Sequence, residues 1–372
     1  MELIQVDTNS RAQVQQFLRL PFDLYRDVPQ WVPPLAPDAR RMLDRRHNPF
    51  YRNSTAVFFS VTHSGRAAGR LAVLDNADYN AFNHERTAFF YLFECANDIG
   101  TAAALFDAAF SWARTRGLNR IVGPRGFSVF DGLGLLVRGY EHRPAFGLPY
   151  NLPYYPSLVE AAGFSGTTDI VSGYLAATMI FPERIHQVAE RVQQRRGLHI
   201  ARFQSRRDLR AIIPWLKDLY NAALGVDSGG VPLTDEEVKG IADQMLWFAD
   251  PRLVKIVMKD SVPVGFLVAY PDISAAVQRT QGRVFPLGWF HLWRELKRTK
   301  WININGAGIV EQYRGLGGTA ILFSEMQKSV LEGGYFHADL VQIGMENDRM
   351  QRELQELGID FYKMHRLYQR TL

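Results

Sequence analysis

Val310-Glu-Gln-Tyr-Arg-Gly-Leu-Gly-Gly-Thr-Ala320 joins the apolar stretch Ile302 to Val310, which reads as a strand, to the amphipathic run Gly317 to Leu331, which reads as a helix. Between them Arg314 is followed by Gly315, Gly317 and Gly318. Without Cβ atoms there, successive N–H groups can turn inward as a nest at the helix N-terminus, where unpaired donors and the helix dipole attract a pyrophosphate. Arg314 adds a charged clamp from the side. Ile309, Val310, Leu316 and Thr319 share the corner and complete the expected cofactor contacts. The plainer alternative is a turn that ends one element and starts the next.

Outward from this corner the second half reads as strand Leu198 to Phe203, helix Asp208 to Ala223, and a helix from Asp235 to Phe248 opened by a capping-box pattern at Thr234. A hairpin follows, Leu253 to Met258 against Pro263 to Ala269, and beyond the loop come strand Leu340 to Ile343, helix Arg349 to Leu357 and an extended end. The first half has the same order: strand Leu3 to Val6, helix Arg11 to Arg26, hairpin Ala56 to Thr62 against Ala67 to Leu74, strand Thr87 to Glu94, helix Ile99 to Arg116 and strand Arg120 to Val122. One β-α-β-β-β-α-β plan is used twice, so the class expected is α/β with mixed, mostly antiparallel sheets flanked by helices. At 372 residues the chain is long enough for two cores. The boundary is expected near residue 180, giving lobes 1–180 and 181–372, the second with an insertion at 272–300.

Two cofactor classes suit the loop. Gly315-x-Gly317-x-x-Ala320 formally fits the dinucleotide fingerprint, but that needs βαβ units and an acid closing the next strand, whereas Asp339 opens it. A coenzyme A pyrophosphate needs the nest and no ribose acid.

Residues 197 to 372 resemble a GNAT-superfamily acyltransferase domain, whose acyl-CoA loop runs Arg or Gln, two free positions, Gly, one free position, then Gly or Ala. Arg314 and Gly317 match, and Thr319 departs at the last place. An Asn often closes the fifth strand of such domains, and Asn347 stands at that place, eleven residues before Gly358. The tyrosine that protonates the leaving thiolate in many members is replaced by Leu354. Over its whole length, through Trp31-Val-Pro-Pro-Leu, Asn48-Pro-Phe-Tyr51, Gly123-Pro124 and Tyr150-Asn-Leu-Pro-Tyr-Tyr155, the chain is similar to a bacterial family of two-lobed GNAT-like proteins, some of them similar to N-acyltransferases that make ceramide-type lipids.

The resemblance implies a tandem GNAT-like fold and direct transfer from acetyl-CoA or a longer acyl-CoA to a primary amine, a small molecule or a lipid. The thioester carbonyl would rest on the strand Ile302 to Val310, with backbone N–H groups holding the oxyanion. No carboxylate interrupts that strand, so the expected base is Glu346, His365 or a water they hold, with Asn347 beside them. His365 is favoured because an unperturbed imidazole titrates near 6.5. Tyr362 and Tyr368 are expected to replace the missing general acid, unless they are ordinary residues of a C-terminal hairpin. The first lobe, with Phe93-Glu-Cys-Ala-Asn-Asp98 in place of a glycine loop, is expected to wall the acceptor pocket through Asn151, Tyr154 and Tyr155. Rival readings are a non-catalytic acyl-CoA sensor or scaffold and a nicotinamide-dependent oxidoreductase.

The insertion Arg279 to Lys300 interleaves Phe285, Trp289, Phe290 and Trp293 with basic residues. As a helix it sets Trp289, Leu292, Trp293 and Leu296 on one face, to pack on the protein over an acyl channel or to lie on an anionic membrane. With 43 basic and 38 acidic residues and no recognisable module, the chain does not read as a nucleic-acid binder. The single Cys95 excludes disulfide frameworks and cysteine zinc clusters, and no metal is expected. The absence of an apolar leader at MELIQVDTNSR points to the cytoplasm, with contact at the inner membrane face through 285–300.

Overall fold

The computed structural model describes residues 1–128, 130–176, 183–224, 231–344, 351–352, 354–355 and 358–372. The strands are β1 Glu2–Gln5, β2 Thr55–His63, β3 Arg66–Asp75, β4 Thr87–Cys95, β5 Arg120–Gly123, β6 Leu135–Arg138, β7 Ser165–Ala176, β8 Leu198–Ala201, β9 Val254–Lys259, β10 Val262–Pro271, β11 Trp301–Ile309, β12 His337–Gly344 and β13 Asp360–Thr371. Among the described residues they form one sheet in the order β1-β2-β3-β4-β5-β13-β7-β12-β11-β10-β9-β8, with β6 also pairing β13. The pairing is antiparallel except for β4 with β5 and β11 with β12. The sequence gives the class and the doubled order; it does not give the junction.

At that junction the halves exchange strands. β7, the last strand of the first half, pairs with β12 of the second. β13, the end of the chain, returns to pair with β5 of the first half. The two exchanged strands then pair with each other from Asp360↔Tyr174 to Gln369↔Ser165, and Arg366 clamps Asp169 bidentately at 2.6 and 2.9 Å. β7 runs from Ser165 to Ala176, and the expected boundary near 180 falls at residues outside those described.

Both faces of the sheet are covered, which is why β2 reads as a continuous apolar run rather than an alternating one. Val57, Phe59 and Val61 pack on Leu105 and Phe106 of the helix Ile99–Thr115, while Phe58 meets Phe17 of the helix Arg11–Leu24 across the sheet. In the second half Leu267, Ile302 and Ile304 pack on Leu322 and Met326 of the helix Gly318–Glu332. The helix expected over 208–223 is two helices, Arg206–Ala211 and Ile213–Leu224, because Pro214 cannot continue the first and suits the opening turn of the second. Thr234 forms the capping box its sequence promised. The insertion folds as helices Ser274–Thr280 and Gly288–Leu296, and it splits the expected face: Leu292 and Leu296 pack with Leu35 and Val277, whereas Trp289, Phe290 and Trp293 stay exposed. Among the described residues no helix is long and apolar enough to cross a membrane.

Candidate functional site

At its end β11 pairs with β10 up to Ile309↔Gly265, and Val310 N–H donates to the Val264 carbonyl at 2.9 Å. A 3-10 turn, Glu311–Tyr313, carries the chain out, and the helix starts at Gly318 behind Gly317 at φ +92°. Gly315 also lies in the left-handed region, at φ +76°. Two such residues just ahead of a helix turn neighbouring N–H groups toward one concavity. Among the described residues no side chain caps this helix start, so its first N–H groups and positive dipole end are left without a side-chain acceptor. Arg314 is exposed, its Nε donating to the Ile309 carbonyl and a terminal nitrogen to that of Ala223, both at 3.1 Å, which hold the guanidinium beside the loop. A Cβ on Gly317 would come within 2.6 Å of Val192 Cγ2 on the helix Glu183–Arg196. Backbone donors, a dipole and a fixed cation in an exposed corner suit a diphosphate.

Beside this corner the sheet splits. β11 and β12 are paired only from Trp301↔His337 to Ile304↔Leu340; beyond, β11 stays with β10 and β12 stays with β7. β11 also bulges there: Ile304 faces Ala269 and Ala307 faces Leu267, so Asn305 and Gly306 stand against Val268 alone. The gap opens into a cleft of about 4220 Å³ lined by Asn305, Ala307, Gln342 and Arg314 from the second lobe and by Tyr91, Glu94 and others from the first. The first lobe repeats the split, β4 and β5 pairing only from Thr87↔Arg120 to Phe89↔Val122.

No protein-family model matches the chain. It is 26% identical over 386 residues to the bacterial ceramide synthase of Caulobacter vibrioides, covering 100% of this chain and 98% of that protein. It is 25% identical over 374 residues to Protein YghO of Escherichia coli, covering 98% and 94%. In three dimensions it overlays a tandem GNAT protein from the clavulanic acid biosynthesis pathway with a TM-score of 0.58 at 12% identity, covering 100% of this chain and 98% of the other. The chain has a tandem GNAT fold.

Within the tandem GNAT fold the two loops differ in sign. In the first lobe Asp98 caps the helix Ile99–Thr115, its Oδ2 accepting from Thr101 N–H at 2.8 Å, so a carboxylate already occupies the donors that a diphosphate would need. Among the described residues no three His, Cys, Asp or Glu side chains converge as a metal site.

The expected acid–base residues are scattered. Glu346 and Asn347 lie outside the described residues. His365 is fully buried in β13 between β7 and β6, its Nε2 3.1 Å from the Pro149 carbonyl. Burial pushes its imidazole down to about 4, so the argument from an unperturbed histidine fails and the ring is neutral at working pH. Tyr368 belongs to the first-lobe core, its hydroxyl 3.3 Å from Glu160. Tyr362 donates to Asp339 Oδ2 at 2.9 Å, where Lys363 Nζ also arrives at 2.7 Å. Burial raises the Asp339 carboxyl, with Lys363 opposing. Asp339 is committed to this buried pair, which adds to the objection that it opens its strand rather than closing it as a ribose ligand would. Leu354 is buried in the second-lobe core.

The first-lobe wall holds what the sequence left unread. Glu94 Oε2 accepts from Tyr25 at 2.7 Å and Tyr155 at 2.8 Å, and Arg70 lies 3.5 Å from Oε1. Burial raises the Glu94 carboxyl above its ordinary range, Arg70 and the two hydroxyls opposing. Asp131 accepts from the N–H groups of Phe127 and Ser128 at 2.7 and 2.9 Å, and burial raises it to about 6. Of the expected acceptor contacts, Asn151 is spent on the backbone of Leu136 and Leu152, a structural role, and Tyr154 donates to the Cys95 carbonyl. Tyr155 is fully buried, its hydroxyl accepting from the Cys95 N–H at 3.1 Å and donating to Glu94. The available signal was a lone acid in the otherwise apolar strand Thr87 to Cys95, set in register with Arg70.

Proposed function

We propose that the protein is an acyl-CoA-dependent N-acyltransferase that binds the thioester in its second lobe and acylates a primary amine of lipid type. The observation that carries this reading is the uncapped glycine corner at Arg314 standing beside the split between β11 and β12. The relative named a bacterial ceramide synthase, matched over nearly its full length, supports an acyl acceptor of lipid type.

In this mechanism the Gly315 to Thr319 amides and Arg314 hold the diphosphate, and the acyl arm runs into the split toward the bulge at Asn305 and Gly306. Backbone N–H groups there stabilise the developing oxyanion. The amine nitrogen bonds to the thioester carbon and the carbon–sulfur bond breaks. One proton leaves the ammonium for a base, and the thiolate takes a second from the amine as the amide forms. Glu94 is the proton acceptor favoured, because its raised carboxyl is a stronger base than an exposed one and its wall faces the same cleft. First-lobe carboxylates would also draw an ammonium into the cleft.

The test is product formation from acyl-CoA thioesters and amines of increasing chain length, beside calorimetric titration of coenzyme A. Leu354 in the place of a thiolate-protonating tyrosine favours a second reading, an acyl-CoA sensor: tight binding without any amide product would select it. Failure of coenzyme A to bind at millimolar concentration would sink both.

A further inference from the structure

The helix Gly288–Leu296 and the segment before it present a bare aromatic surface. Phe285 is 78% exposed, Leu287 68%, Trp289 53%, Phe290 43% and Trp293 48%. Five large apolar side chains within nine positions are far from the scattered exposure of an ordinary surface. The surface is rigidly mounted. Leu292 and Leu296 are anchored beneath it on Leu35, Ile273 and Val277, Ala36 N–H donates to the Gly282 carbonyl at 2.9 Å, and Gln278 donates to the carbonyls of Pro29 and Trp31 at 2.8 and 2.9 Å.

Its charge identifies the partner. Residues 279–300 contain six basic side chains, Arg279, Arg283, Arg294, Lys297, Arg298 and Lys300, against one acid, Glu295, a surplus of five. The whole chain carries a net +5, so everything outside this segment sums to zero. All six are exposed; Arg279 pairs with Glu295, and Lys297 Nζ sits 3.9 Å over the Trp293 ring. Exposed indoles ringed by cations match the headgroup layer of an anionic bilayer.

We propose that this face docks the protein on an anionic membrane surface and brings the cleft mouth to the lipid. Trp289, Leu292, Trp293, Leu296 and Lys297 line the cleft that reaches Glu94 and Arg314, so the docking face and the reaction cleft are continuous. A lipid amine could pass along this wall with its chain never fully in water. This second step rests on the N-acyltransferase reading; the docking itself does not.

Sedimentation with vesicles of phosphatidylcholine alone, or with about a third phosphatidylglycerol, tests the docking. The full chain is expected to sediment with the anionic vesicles and stay in solution with the neutral ones. At about fivefold in partition for each basic side chain near the surface, Arg294→Gln, Lys297→Gln and Arg298→Gln together should weaken binding by roughly a hundredfold. Phe285→Ser with Leu287→Ser and Phe290→Ser, none of which lines the cleft, should abolish it, while melting temperature and coenzyme A binding stay as in the parent. Equal sedimentation with both vesicle types, or sedimentation that the variants leave intact, overturns the proposal. So does a dimer, broken by the same serine substitutions, in a protein that ignores vesicles. Loss of coenzyme A binding in the parent would instead sink the acyltransferase reading and leave the vesicle result standing.

Discussion

Replacing Asp131 by Asn removes a proton that the folded protein grips more tightly than the unfolded chain does. Its carboxyl is moved from 3.8 to about 6, burial being the largest cause, the N–H bonds from Ser128 and Phe127 opposing it and the charge of Asp38 adding to it. Such a displacement corresponds to about 3 kcal/mol. The sign follows from the raised value: between pH 4 and 6 the native state keeps a proton that the unfolded state has released, so stability falls as pH rises through that window and is flat on either side. Asn can accept the same two N–H bonds through its own oxygen. Asp131→Asn should therefore match the parent below pH 4 and exceed it by up to about 3 kcal/mol above pH 7. Urea midpoints of both proteins from pH 4 to 7.5 at fixed ionic strength give the difference curve, which cancels contributions from Glu94 and Asp339. A difference that does not change with pH would refute the reasoning, because Asp131 would then titrate like an exposed acid.

Other expectations concern the site and its frame. Gly317→Ala forces a Cβ onto a left-handed residue at φ +92° and to 2.6 Å from Val192 Cγ2, which should lower the melting temperature by a few degrees. It should also weaken coenzyme A binding about tenfold or more in calorimetry; unchanged affinity would mean that the loop amides do not hold the diphosphate. Glu94→Gln keeps the tyrosine contacts but cannot take a proton, so kcat should fall about a hundredfold while the coenzyme A Kd holds, and a full-rate variant would clear Glu94 of the role. Lys363→Met strands Asp339 in the interior at a cost of about 3 kcal/mol, and adding Asp339→Asn should restore most of it in urea melts. A double variant no more stable than the single one would count against the pair.

Local patterns were readable because they depend on neighbours along the chain. The hairpin β2–β3, the helix Ile99–Thr115 and the glycine corner announce themselves by two apolar runs about a short polar turn, helical spacing and loss of Cβ. Strand partnership depends instead on distant residues: β13 shows an apolar–polar pattern that would satisfy either lobe, and nothing in Phe361 to Thr371 says that β5 and β7 are its neighbours. His365 misled for the same reason, since a histidine's basicity is set by what encloses it, and its enclosure is made by residues about two hundred positions away. Glu94 shows in the sequence only as a lone acid ending an apolar strand. Its partners, Tyr25, Arg70 and Tyr155, are drawn from three separate elements.

The exchange of β7 and β13 makes the halves inseparable. A gene cut at the seam would yield two proteins, each carrying the other's missing edge and neither able to close its own sheet. During synthesis the first half must wait, with β5 uncovered, until Asp360–Thr371 has left the ribosome. A stop codon just before Tyr368 would therefore injure the amino-terminal lobe first, far from the lesion in sequence and next to it in space.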